Sequence, residues 1–106
     1  MTFDDAYRKM EQVLIDDCLE YEETPIGGIK FKTGVDTWIV IIEQVYRDDK
    51  IDAVLLHKDN LGGIRHKLYK GYPDYHIQKK FSGISSCMFP ISYAMNHKKK
   101  WLKKNA

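Results

Sequence analysis

The stretch TWIVIIEQVYRDDKIDAVLLHK, residues 37–58, decides the fold of this chain. Residues 37–46 are rich in the β-branched and aromatic side chains that strands favour, and residues 51–58 form a second run of the same kind. The polar tetrapeptide RDDK at 47–50 has the composition of a tight turn, so the two runs predict a hairpin. Because WIVII at 38–42 is continuously apolar, we expect the first strand to be central and buried on both faces.

The sequence before this hairpin predicts a helix followed by a strand. Residues 2–23 have apolar side chains at helical spacing: Phe3, Ala6, Tyr7, Met10, Val13, Leu14, Cys18 and Tyr21. Thr2 can cap this helix, with Asp5 in the place of the usual glutamate of a capping box. ETPIGG at 23–28 breaks the pattern, since proline lacks an amide donor and glycines favour turns. IKFKT at 29–33 alternates as a strand does.

After the hairpin, a glycine pair at 62–63 indicates another tight turn. Glycine tolerates the positive φ that a two-residue hairpin turn requires. This register would place Asp59 opposite His66 across two strands. A four-residue loop from 60 to 63 would instead place His57 opposite His66.

The C-terminal third predicts two helices. A short one runs from Tyr75 to Phe81 and is closed by Gly83, and a final one begins near Ser85 or Ser86. Steps of 100° place these residues of the final helix on its inner side: Cys87, Ile91, Ala94, Met95, Trp101 and Leu102. We expect Trp101 to pack at the edge of the core while most of the neighbouring lysines remain in water.

The size of the chain is that of one domain, residues 1–106. The expected architecture is α-β-β-β-β-α: an α+β fold in which an N-terminal and a C-terminal helix pack on an antiparallel sheet of three to four strands. Asp4 and Asp5 lie where a secretory signal would have a basic flank, and no apolar run could cross a bilayer. With only Cys18 and Cys87, both expected to be reduced, the sequence predicts a cytoplasmic protein.

The charges divide unevenly along the chain. Residues 1–53 contain thirteen acids and six lysines or arginines, a net −7, whereas residues 54–106 contain two acids and eleven bases, a net +9. This asymmetry predicts a polyanionic partner for the second half. An acidic first element lying beside a basic last element would explain the same asymmetry, and so would self-association of two copies.

The function that these features favour is that of a small non-catalytic binding protein of the inhibitor, immunity or adaptor type, whose basic half engages an acidic protein surface. The candidate binding residues are Arg65, Lys67, Lys70, Tyr72, Lys79, Lys80, Lys99, Lys100, Lys103 and Lys104. The alternative is nucleic-acid binding, because aromatic and basic residues alternate over 65–81 as they do where bases stack and phosphates are contacted. No membrane contact is expected, since Lys98 interrupts the apolar stripe of the last helix.

No residue pattern predicts catalysis, a cofactor or a metal. Two distant cysteines and four scattered histidines do not provide the close ligand pairs of a zinc site. A small ribonuclease using His57 and His66 as acid and base is the remote alternative. We interpret His76 and His97 as solvated surface residues, and Cys87 as a small buried side chain.

Overall fold

Our computed structural model describes residues 1–58 and 68–105, with the backbone alone at Leu68 and over 98–105. The elements are α1 (Phe3–Asp16), β1 (Tyr21–Glu23), β2 (Ile29–Thr33), β3 (Asp36–Val45), β4 (Ile51–Lys58), β5 (Leu68–Tyr69), β6 (Tyr72–Ile84) and α2 (Met88–Asn105). Within these residues one antiparallel sheet has the strand order β1-β2-β3-β4-β6-β5. The predicted α+β class, with an antiparallel sheet between two terminal helices, is confirmed.

The central hairpin of β3 and β4 is confirmed. β3 pairs with β2 on one side and with β4 on the other. Trp38 and Val40 are fully buried on one face of the sheet, and Ile39 is 2 % exposed on the other. β3 is therefore a central strand buried on both faces.

The helix predicted over 2–23 was too long, because α1 ends at Asp16. Its start is confirmed: Thr2 Oγ1 accepts from the Asp5 amide, and Asp5 accepts from the Thr2 amide, both at 3.0 Å. At the other end the adjacent carboxylates of Asp16 and Asp17 destabilise the helix, because the helix dipole is negative at the C-terminus. Cys18 then takes a left-handed φ of +56° and is exposed, and the chain leaves the helix.

Tyr21 therefore does not lie on a helix but begins β1, opposite Phe31 of β2. β1 and β5 contain three and two residues, and these two short strands raise the strand count above the predicted three to four. Such short segments carry no periodicity that a sequence pattern could reveal.

The short helix predicted from Tyr75 to Phe81 was wrong, since the whole segment belongs to β6. β6 is thirteen residues long and pairs with β4, with Ile77 opposite Leu56 and Phe81 opposite Ala53. The apolar run of β4 needs a strand on each side, and β6 supplies the second neighbour. This requirement is tertiary, so it overrides the local pattern.

The sheet has two differently covered faces. On the helix face, buried residues of both helices pack: Ala6, Met10 and Leu14 of α1 with Ile91 and Ala94 of α2. The Ile42 amide of β3 also donates to the Tyr7 hydroxyl of α1 at 3.0 Å. The opposite face has its own buried cluster: Ile39, Val54, Leu56, Tyr72 and Tyr75.

The opposite face is covered where the β1–β2 loop meets β6. The Tyr72 hydroxyl of β6 lies 2.7 Å from Thr24 Oγ1 and donates to the carbonyl of Gly27. Thr24 and Gly27 belong to the β1–β2 loop, which is far from β6 in the strand order. The sheet must therefore curl so that its two sides meet over this face.

α2 begins at Met88, slightly later than the predicted Ser85 or Ser86. Ile91 and Ala94 are buried as predicted, but Met95 is 40 % exposed, so the buried stripe is narrower than expected. The predicted packing of Trp101 and Leu102 lies outside the described side chains. No helix in the described ranges is both long and apolar enough to cross a membrane.

Replacing Tyr72 with Phe tests the closure of the opposite face. The ring remains, but Thr24 and Gly27 lose their hydroxyl partner, so we expect the free energy of unfolding to fall by about 1–3 kcal/mol. Tyr46→Phe is the matched control, because the Tyr46 hydroxyl donates to Asp52 at an exposed site, and it should cost less than about 0.5 kcal/mol. Urea unfolding measures both, and equal losses would contradict the closure.

Candidate functional site

A row of aromatic and imidazole side chains crosses the helix face of the sheet. The strand registers place Trp38 of β3 opposite His57 of β4, and His57 opposite His76 of β6. Directly paired residues of neighbouring strands lie on the same face. α2 adds His97 above this row, so three histidines far apart in sequence meet at one place.

The rings of this histidine cluster are in contact. The imidazole of His57 stacks on the Trp38 indole with centroids 4.2 Å apart and planes inclined by 28°. The His97 ring meets the edge of the same indole, with centroids 5.3 Å apart. The ring centroid of His57 lies 5.4 Å from that of His76 and 5.5 Å from that of His97, so His57 is the central member.

Asp36, at the start of β3, lies beside the cluster. Its Oδ1 is 3.1 Å from Nε2 of His57, and the two side chains are 23 % and 18 % exposed. Burial lowers the pKa of His57 below its ordinary value of 6.5, an effect that the hydrogen bond and charge of Asp36 oppose. Nearby His76 and His97 add to the lowering. The balance favours a neutral His57 imidazole at pH 7.

His76 connects the cluster to α2 through polar side chains. It is 8 % exposed, and its Nε2 donates to Gln78 Oε1 at 3.1 Å. Gln78 in turn donates from Nε2 to the Tyr93 hydroxyl of α2 at 3.4 Å. The expectation that His76 and His97 are solvated surface residues is corrected here, since His76 is buried and His97 is partly buried against Trp38.

The cluster can exchange protons, but its access is restricted. A cavity of about 220 Å³ lies elsewhere, between α1 and the start of α2, and another of about 200 Å³ lies at β1 and β2. In the part of the chain that the structure describes, no three His, Cys, Asp or Glu side chains are placed to hold a metal ion. The arrangement fits a titratable contact between sheet and helix.

Sequence reasoning missed this cluster. It placed His57 near Asp59 and His66, and those two residues lie outside the described ones, as does the glycine turn at 62–63. Counting outward from the β3–β4 turn would have placed Trp38 opposite Lys58, because a bulge between Ile42 and Gln44 shifts the register by one residue. The positions of His76 and His97 required the register of β6 and the path of α2, which no local pattern contains.

The predicted binding residues fall into four groups. Lys70, Lys79 and Lys80 are exposed, with the last two adjacent on β6. Tyr72 is 8 % exposed and its hydroxyl is used inside the fold, so its ring is not presented to a partner in this structure. Four further lysines belong to the helical backbone of α2, without described side chains: Lys99, Lys100, Lys103 and Lys104. Arg65 and Lys67 lie outside the described residues.

The two cysteines differ in their surroundings. Cys87 is partly buried near the start of α2, and burial raises the pKa of its thiol, so the reactive thiolate is disfavoured. This agrees with its interpretation as a small packing residue. Cys18 is exposed after the end of α1, not on an apolar helix face as predicted.

Comparison with known proteins found no match. No protein-family model matches the chain, and neither a curated protein nor a solved structure matches it.

The lowered pKa of His57 predicts how stability depends on pH. Because the unfolded chain takes up the His57 proton at a higher pH than the folded one, stability present above pH 6.5 is lost as the pH falls through the folded pKa. His57→Gln should therefore reduce the loss of unfolding free energy between pH 7 and pH 5. Asp36→Asn should increase that loss, because Asp36 favours the protonated imidazole.

Urea titrations at several pH values between 5 and 7 would measure how the free energy of unfolding changes with pH in both variants. If this change were the same in His57→Gln as in the unmodified chain, His57 would not be the titrating group.

Proposed function

We propose that this protein is a small non-catalytic binding protein that uses its basic C-terminal half to engage an acidic surface of another protein. One observation carries the proposal. Among the described residues, every ion pair of a lysine or arginine joins two residues of the first half: Arg8 with Asp4, Glu11 and Glu23, Lys30 with Glu22, and Lys50 with Asp48. The second-half lysines whose side chains the structure describes enter none of these pairs.

This pairing argues against internal neutralisation of the described lysines of β4, β6 and the turn between β5 and β6. If acids of the first half neutralised these lysines, ion pairs would cross between the halves. The described lysines of the second half, Lys58, Lys70, Lys79 and Lys80, are instead exposed. Their charge is available to attract a partner over a distance and to speed its association.

α2 extends the same basic character. It continues as a helix to Asn105, and five of its eight residues from 98 to 105 are lysines. Lysines in the last turn also stabilise a helix through its dipole, but this effect is confined to about one turn. Five lysines over two turns exceed what that role requires.

The buried aromatics favour a protein partner over single-stranded nucleic acid. Stacking on bases needs exposed rings, and the segment that suggested stacking has Tyr72 at 8 % and Tyr75 at 9 % exposure. Phe81 packs edge-on against Tyr93. Nucleic-acid binding, the alternative function, would depend on phosphate contacts by the lysines.

The proposal includes the absence of catalysis and a cytoplasmic location. His57 and His76, which could exchange protons, are largely buried, and this supports a structural role for them over the ribonuclease alternative. Both cysteines are free thiols, and free thiols are typical of a reducing compartment, which supports the proposed location.

Capture of partners from native extract, with and without nuclease, tests the proposed function. The unmodified chain should retain a bound protein after nuclease treatment. Changing Lys99, Lys100, Lys103 and Lys104 to Gln should reduce the amount retained, because association slows when complementary charge is removed. The matched control changes Lys9, Lys30, Lys32 and Lys50 to Gln, which alters the net charge equally in the first half, and it should retain the partner.

Titration of labelled single-stranded and duplex oligonucleotides at two salt concentrations tests the alternative. If the four α2 lysines each neutralised a phosphate of a duplex, the log–log salt slope would be roughly −3.6, and the glutamine variant would flatten it. Such a slope, together with capture abolished by nuclease, would replace the protein partner with nucleic acid. No oligonucleotide binding at low salt would exclude the alternative.

A further inference from the structure

The last turn of α2 whose side chains the structure describes is attached to the sheet through an imidazole. Ile91 and Ala94 are buried, and His97 follows Ala94 by three residues, so it lies on the same side of the helix. The intervening Met95 and Asn96 are exposed. Within the described side chains, the contact of His97 with the histidine cluster is therefore what holds α2 to the sheet beyond Ala94.

His97 lies beside Trp38 and next to His57. Its ring centroid is 5.3 Å from that of the Trp38 indole and 5.5 Å from that of His57. His57 itself covers one face of the indole, with centroids 4.2 Å apart. Because His97 is close to both rings, it does not lie over the other face of the indole, and it meets the indole edge. The helix thus brings a third ring against a pair of rings that belongs to the sheet.

The surroundings of His57 provide two groups that stabilise a proton on its ring. Asp36 Oδ1 lies 3.1 Å from His57 Nε2, where a carboxylate can accept a hydrogen bond from a protonated imidazole. The face of the Trp38 indole lies against the same ring, and an aromatic face attracts a cation. A first positive charge, at His57, therefore has two compensating neighbours.

A second positive charge, at His97, does not have such neighbours. His97 meets the edge of Trp38, and the edge of an aromatic ring is positively polarised. Two protonated imidazoles with centroids 5.5 Å apart also repel each other in a partly buried contact. Among the acids with described side chains, only Asp36 lies within 4 Å of a ring nitrogen of His57 or His97, and its partner is His57.

The remaining groups around the two rings supply no described negative charge. β6 contributes His76, whose ring centroid lies 5.4 Å from that of His57, and Gln78, which accepts from His76. α2 contributes the Tyr93 hydroxyl, which accepts from Gln78. Residues 59–68 and 98–106, whose side chains the structure does not describe, contain seven lysines or arginines and one acid, Asp59.

We propose that His57 and His97 form a pH-operated latch for the end of α2. At neutral pH the two uncharged imidazoles pack together and hold the helix end on the sheet. When both are protonated, His97 leaves the cluster and α2 separates from the sheet beyond Ala94. The separated segment includes the five lysines of residues 98–104, so acid changes where this charge is presented. The latch is independent of the proposed function, and its failure would leave that function unchanged.

The extent of the separation and its pH range follow from the same contacts. Ile91 and Ala94 pack in the apolar cluster of the helix face, so the first half of α2 should stay in place. Despite Asp36, burial lowers the pKa of His57 below its ordinary value of 6.5. The packed arrangement therefore binds protons more weakly than the separated one, and separation is favoured as the pH falls below 6.5.

Nuclear Overhauser effects between the rings test the latch on the full chain. Protons of the His97 imidazole and the Trp38 indole should give a cross-peak at pH 7, because the ring centroids are 5.3 Å apart. At pH 5 this cross-peak should disappear, while the cross-peaks of Ile91 with the buried cluster remain. Persistence of the ring cross-peak at pH 5, with both imidazoles shown by their carbon chemical shifts to be protonated, would overturn the latch. Simultaneous loss of the Ile91 cross-peaks would also overturn it, because the whole domain would then be unfolding.

Amide hydrogen exchange compares the chain with a variant that cannot acquire the second charge. A helix end without tertiary contacts frays. After correction for the intrinsic exchange rate at each pH, protection of the amides of residues 95–97 should therefore fall at least about tenfold between pH 7 and pH 5. In His97→Gln the same protection should change by less than about twofold. An equal fall in both chains would overturn the latch.

Three carboxylate variants test which charge is compensated. Asp36→Asn removes the acid beside His57, so the midpoint of separation should move to higher pH, and an unchanged midpoint would overturn the latch. Asp48→Asn removes an equal charge from the β3–β4 turn, at the other end of these strands, and should leave the midpoint unchanged. Asp59→Asn should leave it unchanged as well. An upward shift as large as that of Asp36→Asn would show that Asp59 compensates the second charge, and this would overturn the latch.

Discussion

Burial of β3 on both faces is the constraint on which the rest of the structure depends. Trp38, Val40 and Ile42 face the helices, while Ile39 belongs to the other cluster. A strand of this kind must have a strand on each side and a cover on each face. In the described part of the chain, both helices contribute to the same cover. The opposite face is therefore covered by the curled ends of the sheet, which meet where Tyr72 bonds to Thr24 and Gly27.

The same covering of the opposite face buries aromatic residues of the basic half. Tyr72 and Tyr75 fill the cluster on the opposite face, so the rings that suggested base stacking in the sequence are core residues in the fold. The lysines that follow them on the same strand, Lys79 and Lys80, are exposed. One segment thus separates into an apolar part that serves stability and a charged part that is exposed.

The extent to which the sequence predicted the fold follows from the range of the forces involved. The β3–β4 hairpin and the capping box of α1 depend on residues within a few positions of each other, and both were predicted. The end of α1 was missed because the apolar spacing continues to Tyr21, although the backbone turns at Cys18 and Tyr21 pairs with β2. Residues 75–81 became a strand because β4 needs a second neighbour, a condition set by partners that lie 17 positions away at Tyr75 and 28 at Phe81. The meeting of His57, His76 and His97 depends on all of these long-range pairings, so the sequence pattern could not reveal it.

The acidic edge of the sheet at β1 is largely neutralised by its own surroundings. Glu22 is paired with Lys30 at 3.5 Å, and Glu23 with Arg8 at 2.5 Å. If a basic segment of a second copy bound to β1, these glutamates would have to give up internal ion pairs to form new ones, which leaves little net electrostatic gain. An acidic segment from another protein that has no such internal pairs incurs no such loss, so the charge arrangement favours a different partner over a second copy.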